Sequence, residues 1–296
     1  GIFTQCATNN ASIEVAEKDI ITRFILRKLN IKAYPSYEDV PFARSYDCIA
    51  SNIPFGNVKV FDKDFAFADD VHRMCLGKLH TYFWVKAIDQ LNEGGVVAFI
   101  TSRGIADSEG NRYIREYLCK NGKLLCALRL PDLLFMEGSG VEVGSDLIVF
   151  EKESNTVRFS PAEKLFLGTS SKSGAEPTND IFTQPGTIMA TQSIVAKNQH
   201  GKMVWKHKWH GNDDTLAMYV EDCLRKAMPR KASAKPSNPQ ATTHNPQPTI
   251  EEQPIVEELP IAQIDSEPQP EPIDLNADDA LTSSLNIYNQ VDMQYM

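Results

Sequence analysis

A chain of 296 residues, 42% of them hydrophobic, is long enough for one α/β domain and a substantial remainder, and no apolar stretch approaches the roughly 18 to 20 residues that a membrane span needs. The formal charge of −9 is unevenly placed: residues 236–296 hold eleven Asp or Glu and no Lys or Arg, which leaves residues 1–235 at +2 and compatible with nucleic acid. The six cysteines (Cys6, Cys48, Cys75, Cys119, Cys126, Cys223) have neither Cys-x-x-Cys spacing nor companion histidines, so they suggest no metal site and no disulfide framework, and suit reduced thiols in a cytoplasmic protein.

The chain opens on Gly1-Ile2-Phe3-Thr4, with no basic n-region or apolar core of a signal peptide. Starting in mid-pattern without Met, it reads as a fragment. Ile13-Glu14-Val15-Ala16 predicts a short strand ending at the acidic Glu17, and Ile20, Phe24, Leu26 and Leu29 then recur near helical spacing. Strand, terminal acid and helix make a unit of a doubly wound nucleotide-binding fold, in which that acid takes a ribose hydroxyl. Glu17 is therefore a ribose-binding candidate, with an ordinary helix N-terminal charge as the alternative. Ile31 to Tyr34 predicts a further strand.

Tyr46-Asp47-Cys48-Ile49-Ala50 is an apolar run stopping at Ser51-Asn52-Ile53-Pro54-Phe55-Gly56, which predicts a buried parallel strand ending in a turn. Ligands of open α/β sheets bind at the carboxyl ends of such strands. The residue types suit a planar ring carrying an exocyclic amine. The Asn52 oxygen accepts one amine N–H, the carbonyl beside Pro54 accepts the other, and Phe55 lies on the ring. Proline restricts the torsions that aim those carbonyls.

Further along, Asn57 to Lys78 is a long polar segment containing Phe61, Phe65 and Phe67, and connections of this length are usually functional or mobile. Leu79 to Leu91 predicts an amphipathic helix closed by Asn92-Glu93-Gly94-Gly95, with its aromatic residues in the core. Val96 to Thr101 predicts a fully buried strand. A helix over Glu109 to Lys120, a strand over Leu124 to Leu130 and a strand over Leu147 to Phe150, preceded by Gly144-Ser145-Asp146, follow. From Glu153 the periodicity weakens. Lys202, Lys206 and Lys208 alternate with Trp205, His207 and Trp209, which fits either a nucleic-acid contact or a strand that buries its aromatic residues and wets its lysines. Beyond Met228 the composition is that of a disordered linker and tail, with Leu281 to Met296 as a docking segment.

Asn52-Ile53-Pro54-Phe55 resembles the Asn-Pro-Pro-Phe/Tyr motif of S-adenosylmethionine-dependent amino-methyltransferases, in particular the N6-adenine DNA methylases. Ile53 departs from that motif at the first proline. The order of motifs extends the resemblance over about residues 1–152, ending in an antiparallel hairpin, and is closest to the methylase portion of large methylase-helicase proteins of bacterial mobile elements. The resemblance implies an α/β Rossmann-like methyltransferase sheet, N-terminally incomplete, with an irregular C-terminal extension and a disordered tail. It divides the chain into a partial catalytic domain (1–152), an extension with DNA contacts (153–228) and a Pro/Glu-rich tail (229–296).

In function it implies methyl transfer from S-adenosylmethionine to the N6 amine of adenine, with Asn52, Pro54 and Phe55 holding an extruded base. Gly1 and Phe3 would be the last residues of the cofactor's Gly-rich loop, whose earlier glycines and first strand would lie upstream. Glu38 or Asp39 would face the cofactor's adenine, and Glu17 and Asn52 complete the cofactor contacts. DNA is the implied partner, with a helicase region of the same larger polypeptide, no membrane, and a bacterial cytoplasmic, nucleoid-associated location. The same turn suits a glutamine side chain or another base, and a non-catalytic DNA-binding or scaffold fragment is the rival from a different class.

Overall fold

A computed structural model describes residues 11–54, 58–132, 134, 144–198 and 201–228. Its centre is a four-stranded mixed sheet in the order β3-β4-β6-β5, comprising β3 (Tyr46–Asn52), β4 (Leu91–Ser102), β5 (Gly122–Arg129) and β6 (Ser145–Lys152). β3 runs parallel to β4, and β6 runs antiparallel to both β4 and β5, so the expected closing hairpin is present. Before it, β1 (Glu14–Ala16) and β2 (Lys32–Tyr34) pair in parallel as a separate two-stranded sheet, joined by helix α1 (Ile20–Lys28).

The strand before α1 is short because Asp19 caps the helix, its carboxylate accepting the Thr22 amide at 2.6 Å. The apolar spacing of α1 predicts a buried face, but only Leu26 is buried, while Ile20, Ile21, Phe24 and Ile25 point outward. The helix packs on the two-stranded β1–β2 sheet, too small a platform to cover them. Glu14, at the start of β1, ties this unit to the main sheet by accepting from the hydroxyls of Tyr34 at 3.1 Å and Tyr46 at 2.8 Å. Arg44 stands 2.9 Å from the same carboxylate.

The segment after Asn57 is not a free loop. It forms α2 (Lys63–Ala66) and α3 (Asp70–Cys75), capped by Asp62 and Asp69, and buries Phe65 and Cys75. Asp62 also reaches α4 (Leu79–Asp89): its carboxylate takes the Tyr82 hydroxyl at 2.5 Å and the Lys86 ammonium at 3.0 Å, with all three side chains buried. Of the three phenylalanines here, Phe61 and Phe67 remain exposed. As expected, the aromatic residues of α4 are core, with Tyr82 and Trp84 fully buried and Trp84 packed edge-on to Phe99 at 4.9 Å. Inside the first part of β4, where its pairing with β3 shifts register between Leu91 and Val96, Gly94 adopts φ 75° and a Cβ on Gly95 would lie 2.8 Å from the Asn92 carbonyl, so both glycines are required.

α5 (Gly104–Asp107) and α6 (Arg112–Asn121) follow β4. Beyond Lys152 lie α7 (Pro161–Leu167), the strand pairs β7 (Thr169–Ser170) with β8 (Thr178–Asn179) and β9 (Gln192–Lys197) with β10 (Met203–Lys208), and α8 (Asp213–Ala227). This stretch is more regular than its sequence periodicity suggests, because capping sets its helices: Ser160 and Glu163 form a reciprocal capping box with Pro161 at the first turn, and Asn212 caps α8. Packing is continuous across residue 152, since Phe166, Leu167, Ile181 and Phe182 share one apolar cluster with Trp84, Phe99 and Phe150.

Candidate active site

The parallel register sets Asn52 opposite Ile100 at the carboxyl end of β3. The Ile53 amide then donates to the Ile100 carbonyl at 3.0 Å, carrying the ladder one residue past the strand, while the Ile53 side chain is only 1% exposed. A proline has no amide hydrogen for that bond. Ile53 thus anchors the turn by a hydrogen bond and a buried side chain where the family motif uses a second ring. Pro54 is exposed beside it, and so is Asn52, whose amide has no hydrogen-bond partner among the described residues. An exposed amide with no partner among the described residues, at the end of a strand held by its pairing with β4, can meet a ligand. Phe55 lies outside the described residues.

Glu17 follows the end of β1. Its amide donates to the Tyr34 carbonyl at 3.0 Å, and its Oε1 accepts the Asp19 amide at 2.9 Å. One carboxylate oxygen therefore orients the side chain and Oε2 has no partner among the described residues, an arrangement that fits a ribose hydroxyl. The helix-capping role falls to Asp19 instead. Glu38 is half-buried between the buried Tyr37 and the exposed Asp39, whose carboxylate accepts the Ser36 hydroxyl at 2.8 Å. No hydrogen bond joins Glu17, Glu38 and Asn52 to one another among the described residues. Gly1 and Phe3 lie outside those residues.

Sequence reasoning missed a buried charged cluster at the same end of the sheet. Arg129, the last residue of β5, makes a two-pronged pair with Asp146 of β6, Nε to Oδ1 at 2.9 Å and Nη2 to Oδ2 at 3.0 Å, and also donates to Asp107 at 2.9 Å. Burial opposes the charge on Arg129, but Asp146 and Asp107 outweigh it and hold the guanidinium protonated. Next to it, Arg103 pairs with Asp132 at 2.5 Å and donates to the Trp205 carbonyl at 3.0 Å. These pairs fasten the chain after β4, β5 and β10 together. No local pattern encodes them. The alternating stretch at 202–209 forms β10 as a strand that buries His207, half-buries Trp205 and Lys206, and sets Lys202 against Glu176 at 3.2 Å.

The profile of the N-6 DNA methylase family matches residues 7–210, and the chain belongs to that family. Similar solved structures include a class I S-adenosylmethionine-dependent methyltransferase of Listeria monocytogenes, at 15% identity and a TM-score of 0.41, covering 50% of this chain and 46% of that one. The modification subunit of a type I restriction enzyme of Vibrio vulnificus is similar at 16% identity and a TM-score of 0.41, covering 74% of this chain and 53% of that one. The M protein of the type I restriction enzyme EcoKI is similar at 14% identity and a TM-score of 0.40, covering 75% and 60%. The chain thus spans about half the length of these structures. No curated protein matches it significantly. The α/β arrangement is of the Rossmann-like methyltransferase class, and no helix among the described residues is long and apolar enough to cross a membrane.

Proposed function

We propose that this chain transfers a methyl group from S-adenosylmethionine to the N6 amine of adenine in DNA. The observation that carries the reading is the exposed Asn52 amide, without a partner among the described residues, beside Pro54 at the end of β3 in a chain of the N-6 DNA methylase family. When bound, the cofactor supplies a methyl group made electrophilic by its sulfonium. Glu17 fits its ribose through the free Oε2, Glu38 its adenine amine, and Gly1 and Phe3 the loop beside it.

The chain's own residues act on the other reactant. Asn52 Oδ1 accepts one N–H of the adenine amine, and the Ile53 carbonyl, whose rotation the Pro54 ring limits, accepts the second. Two acceptors polarise both N–H bonds and raise electron density on N6, so the neutral amine would attack the methyl carbon as its bond to sulfur breaks, the sulfonium leaving as a neutral thioether and the methylated nitrogen then releasing one proton to water. The base leaves the duplex to reach them, at a cost of a few kcal/mol, and stacking on Phe55, at roughly 1 to 3 kcal/mol per base, offsets much of that. Residues 1–152 form the catalytic part in this reading, 153–228 the extension that contacts DNA, and 229–296 the tail. The molecule works in the bacterial cytoplasm at the nucleoid, alongside a helicase region or restriction-modification subunits.

Tritiated methyl transfer to adenine-containing DNA tests the proposal. Asn52→Ala removes one acceptor and leaves an amine hydrogen unpaired, at about 1 to 3 kcal/mol, so the rate should drop roughly 5- to 150-fold while circular dichroism is unchanged. A folded Asn52→Ala protein that methylates at the parental rate would move the site elsewhere. Label found in a protein glutamine instead of DNA would reassign the substrate.

A further inference from the structure

A cavity of about 180 Å³ lies between the β9–β10 hairpin and the 170–188 segment, walled by Trp205, Phe182 and Ile188, with Ser193, His207 and Lys172 among its lining. Ile188 bridges to Arg129 at the outer side of β5, so the cavity wall stands four strand spacings, about 19 Å, across the sheet from β3 and the Asn52 turn. Pockets for drug-sized ligands run to roughly 300–1,000 Å³. This one admits a single ring system and excludes a whole nucleoside cofactor.

Its polar content is unusual. His207 is 2% exposed, and its backbone is held by Asp132 through both its amide, at 2.6 Å, and its carbonyl, at 2.9 Å. Its Nδ1 shares a hydrogen bond with the Ser193 hydroxyl at 2.8 Å, and its buried Nε2 has no partner among the described residues. Burial first, and the nearby Arg103 and Arg129 second, lower its pKa to about 3, so the ring is neutral. A neutral imidazole with Nδ1 committed presents one unmet hydrogen-bonding atom, a donor or an acceptor according to which way the Ser193 hydroxyl points. Lys172 adds an exposed cation that has no ion pair among the described residues.

We propose that this cavity is a second, non-catalytic subsite that holds one nucleobase. An aromatic wall, the exposed Ser193 hydroxyl beside it and a cation at the rim match the face, the edge and the phosphate of a nucleotide. Base edges carry donors and acceptors side by side and so meet the Ser193 hydroxyl whichever way it points. The identification of the ring as a nucleobase rests on the DNA reading above. An unpaired base a few nucleotides along a strand engaged at Asn52 would lie here, or the base of a free nucleoside.

The test uses the whole chain and two probes, a single-stranded oligodeoxynucleotide containing 2-aminopurine and free 2-aminopurine riboside, with 2-aminopurine fluorescence as the readout. Stacking on Trp205 should quench the probe. Trp205→Leu should weaken binding about tenfold, and Trp205→Phe should restore most of it. Lys172→Gln should weaken the oligonucleotide and leave the riboside unchanged. Quenching of the oligonucleotide alone assigns the subsite to a DNA strand, and quenching of both assigns it to the free nucleoside as well. Asn52→Ala should leave the quenching intact. If quenching is insensitive to Trp205 in a folded protein, or disappears with Asn52→Ala, the subsite is refuted. Trp205-dependent quenching in a protein that never methylates DNA would keep the subsite and remove the methylase reading.

Discussion

Asp146 and Arg129 show how much can rest on one pair of side chains. Both are essentially inaccessible, at 0% and 1% exposure, and their two parallel hydrogen bonds close the end of β5 against β6. On the far side, the Phe182 ring centroid lies 3.9 Å from the guanidinium carbon, so Arg129 is covered by a cation–π contact as well. Asp146→Asn keeps the shape and removes the charge, leaving a buried guanidinium with Asp107 alone. Removing one partner of such a pair costs about 3 to 5 kcal/mol, and the surviving Asp107 contact places the expected loss near the low end. Urea unfolding measures it. The double variant Asp146→Leu with Arg129→Met should recover most of that loss, since both fully buried charges are then gone and Asp107, partly exposed, keeps the Asn179 amide as a donor at 2.8 Å. Recovery would mean that the pair specifies geometry more than it stabilises.

Helix α3 is fastened by a device that titrates. His72 Nδ1 meets Asp69 at 2.6 Å and Nε2 meets Asp89, at the end of α4, at 2.8 Å, while Asp89 also accepts the Tyr117 hydroxyl of α6 at 2.7 Å. Both ring nitrogens facing carboxylates favour the imidazolium: the Asp89 bond above all, then Asp69, raise the His72 pKa against burial. A raised histidine pKa contributes stability that is fully present below the unfolded value near 6.5 and is lost as pH rises through the folded value. Thermal melts should therefore show a falling melting temperature as pH rises from about 6 toward 9, and His72→Gln should flatten that slope. An unchanged slope in the variant would place the titrating group elsewhere.

The element scale is also where the sequence was most readable. The buried β4 and the aromatic face of α4 follow from apolar runs and helical spacing, and the end of β3 at Asn52 was legible because a strand end is marked locally. Helix α7 was missed although Ser160-Pro161-Ala162-Glu163 carries a start signal, because its apolar periodicity is too short to register. The ties between Glu14 and Tyr46, Asp62 and Lys86, and Arg103 and Asp132 join distant positions, and neither period two nor period 3.6 records which strands become neighbours. The α1 face was misread for a related reason. Periodicity identifies an apolar stripe but not whether another layer covers it.

For the whole molecule, the main sheet ends at β3. The strand is hydrogen-bonded to β4 on one side and has no strand partner on the other among the described residues, and Asp47, Cys48, Ala50 and Asn52 are exposed along it. Unpaired strand edges template pairing with another chain. Sedimentation velocity over rising protein concentration should show reversible self-association, and Ala50→Lys, which sets a charge on the edge, should suppress it. A monomer at every concentration would mean the edge is already protected. The expected outcome is colloidal: the attainable concentration of this protein in solution should be set by one seven-residue rim and should rise with Ala50→Lys, whatever the net charge of −9 contributes.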